Sequence, residues 1–109
     1  MAIEWVIKYW PNDIERWLKK LTKEQQKAVI KLIELLRANN QLKLPHSRQL
    51  GNKLFELRDK RFGYRVYYMY YKDHLIILLA AGDKSTQDRD MKIAYSRLNE
   101  IVKYGVDFV

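Results

Sequence analysis

Basic side chains are concentrated in the middle of the sequence, with one glutamate and one aspartate among them. Between residues 43 and 65, seven lysines and arginines accompany two acidic residues, so this segment holds +5 of the net charge of +8. Clustered positive charge favours polyanions through counterion release, and a merely soluble basic surface is the simpler alternative. The basic residues are Lys43, Arg48, Lys53, Arg58, Lys60, Arg61 and Arg65, and the acidic ones are Glu56 and Asp59.

A second candidate for anion chemistry is the segment LIILLAAGDKSTQ, residues 75–87, in which an apolar strand leads into a glycine, a lysine and two hydroxyls. It is not a nucleotide-binding P-loop, because Ile77 stands where the first glycine is required and Asp83 separates Gly82 from Lys84. The start of the following helix still offers unpaired N–H groups and a partial positive charge. Lys84 is therefore a candidate phosphate contact.

Length and composition limit the class of protein. A chain of 109 residues is long enough for one domain with its own core. The absence of cysteine excludes disulfides and thiolate catalysis. The first ten residues include Glu4 and Lys8, so we predict neither a signal peptide nor a membrane span there. We expect a soluble cytoplasmic protein.

The first half of the chain predicts one strand and a pair of helices. Alternation of apolar and polar residues predicts a strand over residues 3–9. Two capping-box patterns follow, Asn12 with Glu15 and Thr22 with Gln25. Apolar residues at helical spacing after each pattern predict two helices that form a tight hairpin.

The second half predicts most of the sheet. Residues 39–52 are polar, contain a proline and a glycine, and are predicted as a loop. Three strands should follow, over residues 54–58, 64–71 and 74–81, the last two being central in the sheet because both of their faces are apolar. A final helix should start with Thr86 as its cap and stop at Gly105. The predicted order is β-α-α-β-β-β-α, an α+β fold with an antiparallel sheet, an N-terminal helical hairpin and a C-terminal helix.

Three short motifs resemble the RelE/ParE toxin superfamily of bacterial toxin–antitoxin modules, and most closely its HigB-like, or phage Gp49-like, branch. They are ELR at residues 56–58, YRVYY at residues 64–68 and GDKSTQ at residues 82–87. A last helix with Ala94 and the pair Arg97 and Leu98 completes the likeness. The order and spacing of these pieces extend the resemblance, and the RelE-like fold that it implies, over nearly the whole chain.

The resemblance implies an endoribonuclease that enters the ribosomal A site and cuts messenger RNA there without a metal or another cofactor. It also implies a cognate antitoxin that neutralises the toxin, which we expect to be a helix-turn-helix protein. Two other functions stay open: inhibition of DNA gyrase, as in the ParE branch, and a binding module without catalytic activity. A fold alone does not choose among them.

Three residues around the first two motifs are candidates for catalysis. Arg65 is the strongest, because the arginine of the YR pair belongs to the active site in RelE-like toxins and its planar head suits a phosphate; a structural ion pair is the alternative. Glu56 stands where RelE-like sequences carry lysine, and it could act as a base or, as we favour, hold the arginines in place. Arg58 resembles the family's LR arginine and could contact phosphate, or be a solvated charge.

Strand alternation also predicts how these residues are arranged. A four-residue connection between the strands would put Arg65 opposite Glu56, on one sheet face with Arg58. A five-residue connection would put Arg65 opposite Leu57 instead.

The remaining site predictions concern phosphate contacts and bases. Lys84 is the candidate cation over the cleft, where RelE itself carries an arginine, and a solvent-facing lysine is the alternative. RNA phosphates are predicted to be held, without sequence readout, by Lys43, Arg48, Lys53 and Arg61. His46 and His74 are predicted to be solvated rather than catalytic. RelE-like toxins also place a tyrosine of the last helix against an RNA base, and no residue here is assigned to that role.

Overall fold

The computed structural model describes residues 5–38, 46–72 and 74–106 of the chain. In chain order the elements of these ranges are β1 (Val6–Tyr9), α1 (Asp13–Lys19), α2 (Lys23–Ala38), β2 (Ser47–Gly51), β3 (Leu54–Arg58), β4 (Arg65–Tyr71), β5 (Leu75–Gly82), the 3-10 turn Lys84–Thr86 and α3 (Gln87–Tyr104). The predicted α+β class, the helical hairpin and the C-terminal helix are confirmed.

The five strands form one sheet in the order β1-β5-β4-β3-β2. β4 and β5 are interior strands, as their two apolar faces predict. β1 pairs parallel to β5, whereas the other three pairings are antiparallel. The sheet is therefore mixed rather than wholly antiparallel, a difference that alternation within β1 could not show because it indicates the buried face and not the direction of the neighbour.

The predicted loop over residues 39–52 needs a correction, because Ser47–Gly51 forms the edge strand β2. This strand pairs antiparallel with β3, with a register shift between Gln49 and Gly51. Only Ser47 in it is fully buried, and its Oγ lies 2.5 Å from the Tyr68 hydroxyl. A polar sequence is normal for an edge strand, since one side of it faces water. Residues 39–45 lie outside the described ranges.

The helix ends follow the predicted signals only in part. The capping box of Thr22 and Gln25 is confirmed, with N–H to side-chain oxygen distances of 3.2 Å and 2.9 Å. Asn12 forms no such box, because its φ is 76° and its side chain makes no cap hydrogen bond. Gly105 ends α3 as predicted, with a φ of 77° that favours glycine.

The sheet separates two apolar cores. Ile14 of α1 and Val29, Ile33 and Leu36 of α2 cover one face, and Ala94, Leu98 and Ile101 of α3 cover the other. Apolar residues at helical spacing therefore face the sheet in all three helices, as the sequence predicts.

Arg97 fastens α3 to the rest of the fold. Its Nη1 donates to the Leu79 carbonyl at 2.8 Å, and its Nη2 pairs with the Asp13 carboxylate at the start of α1. Its guanidinium carbon also lies 5.0 Å from the ring centroid of Trp10, a cation–π distance. One side chain thus joins α3 to β5 and to α1.

The β3–β4 hairpin sets the register of the candidate site. Residues 59–64 connect the two strands. Within this connection the Asp59 N–H donates to the Tyr64 carbonyl at 2.9 Å, which adds one backbone bond beyond the strand ends. Arg58 is therefore opposite Arg65, and Glu56 is opposite Tyr67. Both predicted connection lengths were too short. Opposite residues share a face, however, so the prediction that Glu56, Arg58 and Arg65 lie on one face is confirmed.

Buried tyrosines predict a loss of stability at high pH. Burial raises the pKa of the hydroxyls of Tyr67, Tyr68 and Tyr70, so the folded state keeps protons that the unfolded chain releases near a pKa of about 10. Their contribution to the free energy of unfolding is complete below about pH 10 and falls as the pH rises beyond it.

Urea unfolding followed by tryptophan fluorescence on both sides of this pH tests the expectation. The free energy of unfolding should fall with rising pH, and Tyr68→Phe should make the fall shallower. An unchanged slope in this variant would show that the Tyr68 hydroxyl is not among its causes.

Candidate active site

Glu56 lies at the centre of a cluster of charged side chains on the face of the sheet that α3 covers. Its side chain is 1% exposed, although glutamate is almost never fully buried unless it is paired. Its partners come from three strands: Arg48 from β2, Arg58 from the end of β3 and Arg65 from the start of β4. The register brings them together, since Arg48 is opposite Glu56 and Arg58 is opposite Arg65.

The two carboxylate oxygens of Glu56 face different partners. Oε1 lies 3.3 Å from Arg58 Nη2 and 3.5 Å from Arg48 Nε. Oε2 accepts a hydrogen bond from Gln87 Nε2 at 3.3 Å and lies 3.8 Å from Arg65 Nε. Three guanidinium groups around one carboxylate leave a surplus of positive charge. The cluster can therefore attract an anion even with Glu56 in place.

The three arginines lie at different depths. The side chains of Arg48 and Arg58 are 44% and 38% exposed, while that of Arg65 is 8% exposed. Arg65 Nη1 donates to the Gly63 carbonyl at 3.0 Å, which fixes its head to the hairpin. Arg48 and Arg58 can thus reach a ligand in solvent, and Arg65 supplies positive charge from beneath them.

Tyr67 lies beside the cluster, opposite Glu56 on β4. Its hydroxyl is buried and has no hydrogen-bond partner among the described residues, and the same holds for Arg65 Nε. Burial raises the pKa of the Tyr67 hydroxyl, and the carboxylates of Glu56 and Asp90 raise it further. The Tyr67 hydroxyl therefore keeps its proton and remains a donor.

The GDKST turn begins with a capping box that the sequence analysis did not identify. Asp83 Oδ1 accepts from the backbone N–H groups of Ser85 at 2.8 Å and Thr86 at 3.2 Å. A further hydrogen bond from the Ser85 hydroxyl, together with these two backbone bonds, holds the pKa of the Asp83 carboxyl below its usual range.

Thr86 holds the predicted cap position of α3, but its side chain does not form the predicted cap hydrogen bond to this helix. Its Oγ1 instead accepts from the Asp83 N–H at 3.2 Å, as the second half of the capping box of the preceding 3-10 turn. The same Oγ1 donates to the buried Asp90 Oδ2 at 2.5 Å. Thr86 therefore fixes the first turn of α3 against the end of β5.

Lys84 is exposed and opens this turn. Gln87, three residues further along, contacts Glu56, and residues three apart lie on the same side of a helical turn. Lys84 therefore lies in the turn that leads into α3, three residues before Gln87. Its amine has no ion-pair partner in the described part of the chain.

The other predicted phosphate contacts are not brought into the cluster. Lys53 lies in the β2–β3 turn with a φ of 71°, at the end of β3 away from Arg58. Arg61 lies at the tip of the β3–β4 hairpin, where its guanidinium carbon is 4.8 Å from the Phe62 ring centroid. Lys43 lies outside the described residues.

Neither histidine belongs to the cluster. His46 contributes its backbone carbonyl to the Arg58 N–H at 2.8 Å. The ring of His74 lies edge-on to Trp5, with centroids 5.8 Å apart.

Three features of the site were not predicted from the sequence. Arg48 was predicted only as a general phosphate contact, because β2 was not recognised as a strand, and the structure places it against Glu56. No role was predicted for Gln87 or for the Tyr67 hydroxyl. The β3–β4 register places Tyr67 beside the cluster, and the start of α3 places Gln87 there. Neither the register nor the exact start of the helix can be predicted from composition.

A groove of about 570 Å³ lies between α2 and the β3–β4 hairpin, on the side of the sheet that α2 covers. Arg58 belongs to the cluster and also lines this groove. The floor of the groove includes Ala28, Leu32 and Leu35. The charged residues that line it are Glu24, Lys27, Lys31, Arg58, Asp59, Lys60 and Arg61.

The described residues form neither a metal site nor a membrane-spanning helix. No group of three or more histidine, aspartate and glutamate side chains there is arranged to hold a metal ion. None of the helices in these ranges combines the length and the apolar composition of a membrane span.

The fold defines the class of protein. A double mutant of the Escherichia coli toxin RelE in the free state superposes with a TM-score of 0.69 over 87% of this chain and 98% of that chain, at 11% identity. The RelBE2 toxin–antitoxin complex of Mycobacterium tuberculosis gives 0.57 over 75% of this chain and 100% of that chain, at 20% identity. The RelE–RelB complex of Pyrococcus horikoshii gives 0.57 over 75% and 97%, at 17% identity. The fold is that of RelE-type toxins.

Sequence comparison then gives the family. The model of the family "Phage derived protein Gp49-like" matches residues 16–99, and this chain belongs to that family. An uncharacterized protein of Haemophilus influenzae is 42% identical over 82 residues, which cover 73% of this chain and 80% of that protein. The resemblance inferred from the ELR, YRVYY and GDKSTQ motifs is confirmed.

Gly82 tests how tightly α3 is seated beside the site. A Cβ at this position would lie 1.9 Å from Asp90 Oδ2 and 2.5 Å from Thr86 Oγ1. Gly82→Ala must therefore displace the first turn of α3, and we expect the free energy of unfolding to fall by about 1–3 kcal/mol in urea denaturation.

The same substitution in an Asp90→Ala background provides the control. Without the carboxylate, the cost of the added methyl should shrink, because the closest clash is gone. An equal cost in both backgrounds would mean that the methyl is not limited by Asp90.

Proposed function

We propose that this protein is the toxin of a type II toxin–antitoxin module and a ribosome-dependent endoribonuclease that cuts messenger RNA in the A site. The observation that carries the proposal is the buried Glu56 between three arginines, which leaves a surplus of positive charge at one solvent-accessible place. Membership of the Gp49-like family and the fold of RelE-type toxins support the toxin part of the proposal.

Cleavage of RNA by its own 2′-hydroxyl has three requirements at one phosphate. The 2′-oxygen loses its proton and bonds to phosphorus, the pentavalent phosphate is stabilised, and the 5′-oxygen leaves and gains a proton. Arg48 and Arg58 are exposed enough to contact the phosphate, and Lys84 approaches from the start of α3. These cations supply the second requirement.

Glu56 and Arg65 act from beneath the phosphate in this proposal. Arg65 is nearly buried and adds positive charge without direct contact. Of the two roles that the sequence left open for Glu56, its contacts support orientation of the arginines, because both of its oxygens already face cationic or amide groups.

The groove gives the messenger strand a path to the cluster. Its rim carries Lys27, Lys31, Lys60 and Arg61, and Arg58 joins it to the site. Backbone phosphates can follow such a rim without base-specific contacts. The groove therefore extends the predicted phosphate contacts to α2.

The proposed partners are a cognate antitoxin and the ribosome. The M. tuberculosis and P. horikoshii neighbours are toxin–antitoxin complexes, which supports an antitoxin as a partner of this chain. We expect it to be a helix-turn-helix protein. Because the proposed target is the translating ribosome, we place the protein in the cytoplasm.

Expression in a bacterium that lacks the antitoxin tests the nuclease. The wild type should arrest growth and leave in-frame 5′ ends in translated messages. Arg58→Ala with Lys84→Ala should reduce these cuts at least about a hundredfold, because each removes a cation from the transition state. Because Arg58 also pairs with the buried Glu56, the thermal midpoint of the double variant should fall, whereas Lys84→Ala alone, at an exposed residue, should reduce the cuts at an unchanged midpoint.

Arg65→Ala and Arg16→Ala complete this experiment. Arg65→Ala should also abolish the cuts, whereas Arg16→Ala, an exposed arginine on α1, should retain them. Growth arrest without cuts would indicate a gyrase inhibitor, to be checked in a supercoiling assay. The absence of arrest would indicate a binding module.

Ribosome binding should weaken steeply with salt. Each cation that neutralises a phosphate contributes about 0.7 to 0.9 to the slope of log affinity against log salt. Lys27→Ala with Lys31→Ala should therefore lower the slope by about 1.4 to 1.8 in sedimentation binding. A slope equal to that of the wild type would remove the α2 side of the groove from the interface.

A further inference from the structure

Two buried hydrogen-bond donors of β4 are left without partners next to the cluster. They are Arg65 Nε and the Tyr67 hydroxyl, both nearly inaccessible to solvent and both without a hydrogen bond among the described residues. Residues two apart in a strand share a face, so the two donors lie on the same side of the sheet as Glu56. Buried polar groups are normally paired, and an acceptor is therefore expected here in some state of the protein.

The acceptor already present nearby is Glu56, but its carboxylate is held on its outer side. Oε1 faces the two exposed arginines at 3.3 Å and 3.5 Å, both longer than the usual 2.7–2.9 Å of charge-assisted hydrogen bonds. Oε2 lies 3.8 Å from Arg65 Nε, which is too far for a hydrogen bond. The carboxylate is thus held by two exposed arginines, while the two buried donors of β4 lie beside it without a hydrogen bond.

We infer that Glu56 is an exchangeable internal anion. In the free protein it neutralises Arg48 and Arg58; when a phosphate group binds, these two arginines move to the phosphate, and the carboxylate turns to Arg65 Nε and the Tyr67 hydroxyl. Tyr67 is then a positioning residue for the phosphate site.

The distances and exposures support this direction of exchange. Arg48 and Arg58 lie at the surface and can reorient, whereas Arg65 is fixed through its bond to the Gly63 carbonyl. A shift of about 1 Å would bring Oε2 within hydrogen-bond distance of Arg65 Nε. Gln87 already donates to Oε2 and would stay hydrogen-bonded to the carboxylate during that shift.

The exchange removes a conflict that a fixed arrangement would keep. A phosphate that entered while Glu56 faced outward would meet a second anion at the same two arginines. With the carboxylate turned inward, the buried charge stays paired and the exposed guanidinium groups are free for bidentate contacts with the phosphate. The inference concerns any phosphate group; only its identity as an RNA phosphate rests on the proposed function.

Nuclear magnetic resonance of the arginine and tyrosine side chains tests the exchange directly. The wild-type protein is titrated with inorganic phosphate, and the Nε–H signals of the arginines and the hydroxyl proton of Tyr67 are followed. Hydrogen exchange at Arg65 Nε and at the Tyr67 hydroxyl should slow about tenfold on saturation, as for donors that gain a hydrogen bond. Signals of Arg48 and Arg58 should shift along the same binding curve.

Tyr67→Phe and Tyr68→Phe form a matched pair of variants. The Tyr67 hydroxyl bonds to no described residue in the free protein, so its removal should weaken phosphate binding about three- to tenfold, as loss of one hydrogen bond in the bound state does. The thermal midpoint should not fall. Tyr68 is equally buried, but its hydroxyl bonds Ser47 on the other face, and Tyr68→Phe should bind phosphate as the wild type does.

Three results would overturn the inference: no saturable phosphate binding, binding with unchanged signals of Arg65 Nε and Tyr67, or equal affinities in Tyr67→Phe and the wild type. The proposed nuclease is judged separately. If the exchange occurs with phosphate but no messenger is cut in cells, the exchange stands and the nuclease falls. If messenger is cut without the exchange, the reverse holds.

Discussion

The burial of one carboxylate is the constraint on which the rest of the site depends. A glutamate in the interior of a sheet is tolerated only when cations or amide donors reach it. For Glu56 these come from β2, from both strands of the β3–β4 hairpin and from the first turn of α3. These four parts of the fold must therefore be in place before this side chain is satisfied.

The placement of α3 follows from a second set of contacts. At its start, the pair of Thr86 and Asp90 rests directly on Gly82, which has no side chain to hold it away. Near its middle, Arg97 connects it to the Leu79 carbonyl and to Asp13. These contacts fix the point from which Gln87 reaches Glu56, and Lys84 lies in the turn just before it.

Much of this arrangement could be predicted from the sequence, and the exceptions have physical causes. Two-residue periodicity places Glu56 and Arg58 on one face, and Arg65 joins them because an even number of residues connects the two strands. The pairing itself depends on one additional backbone bond at Asp59, which no composition rule indicates. Arg48 was assigned only a general role because an edge strand lacks an apolar pattern. The direction of β1 depends on its neighbour and not on its own residues.

The position of Arg48 on an edge strand ties the electrostatics of the site to the margin of the sheet. Edge strands open locally at a lower free-energy cost than the interior strands of the same sheet. Each opening of β2 would withdraw one of the three guanidinium groups from Glu56, while the two on the hairpin stayed in place. The positive charge that a ligand meets would therefore be an average over the paired and the open states of β2. A protein that paired with the free edge of β2 would raise that average without touching the site.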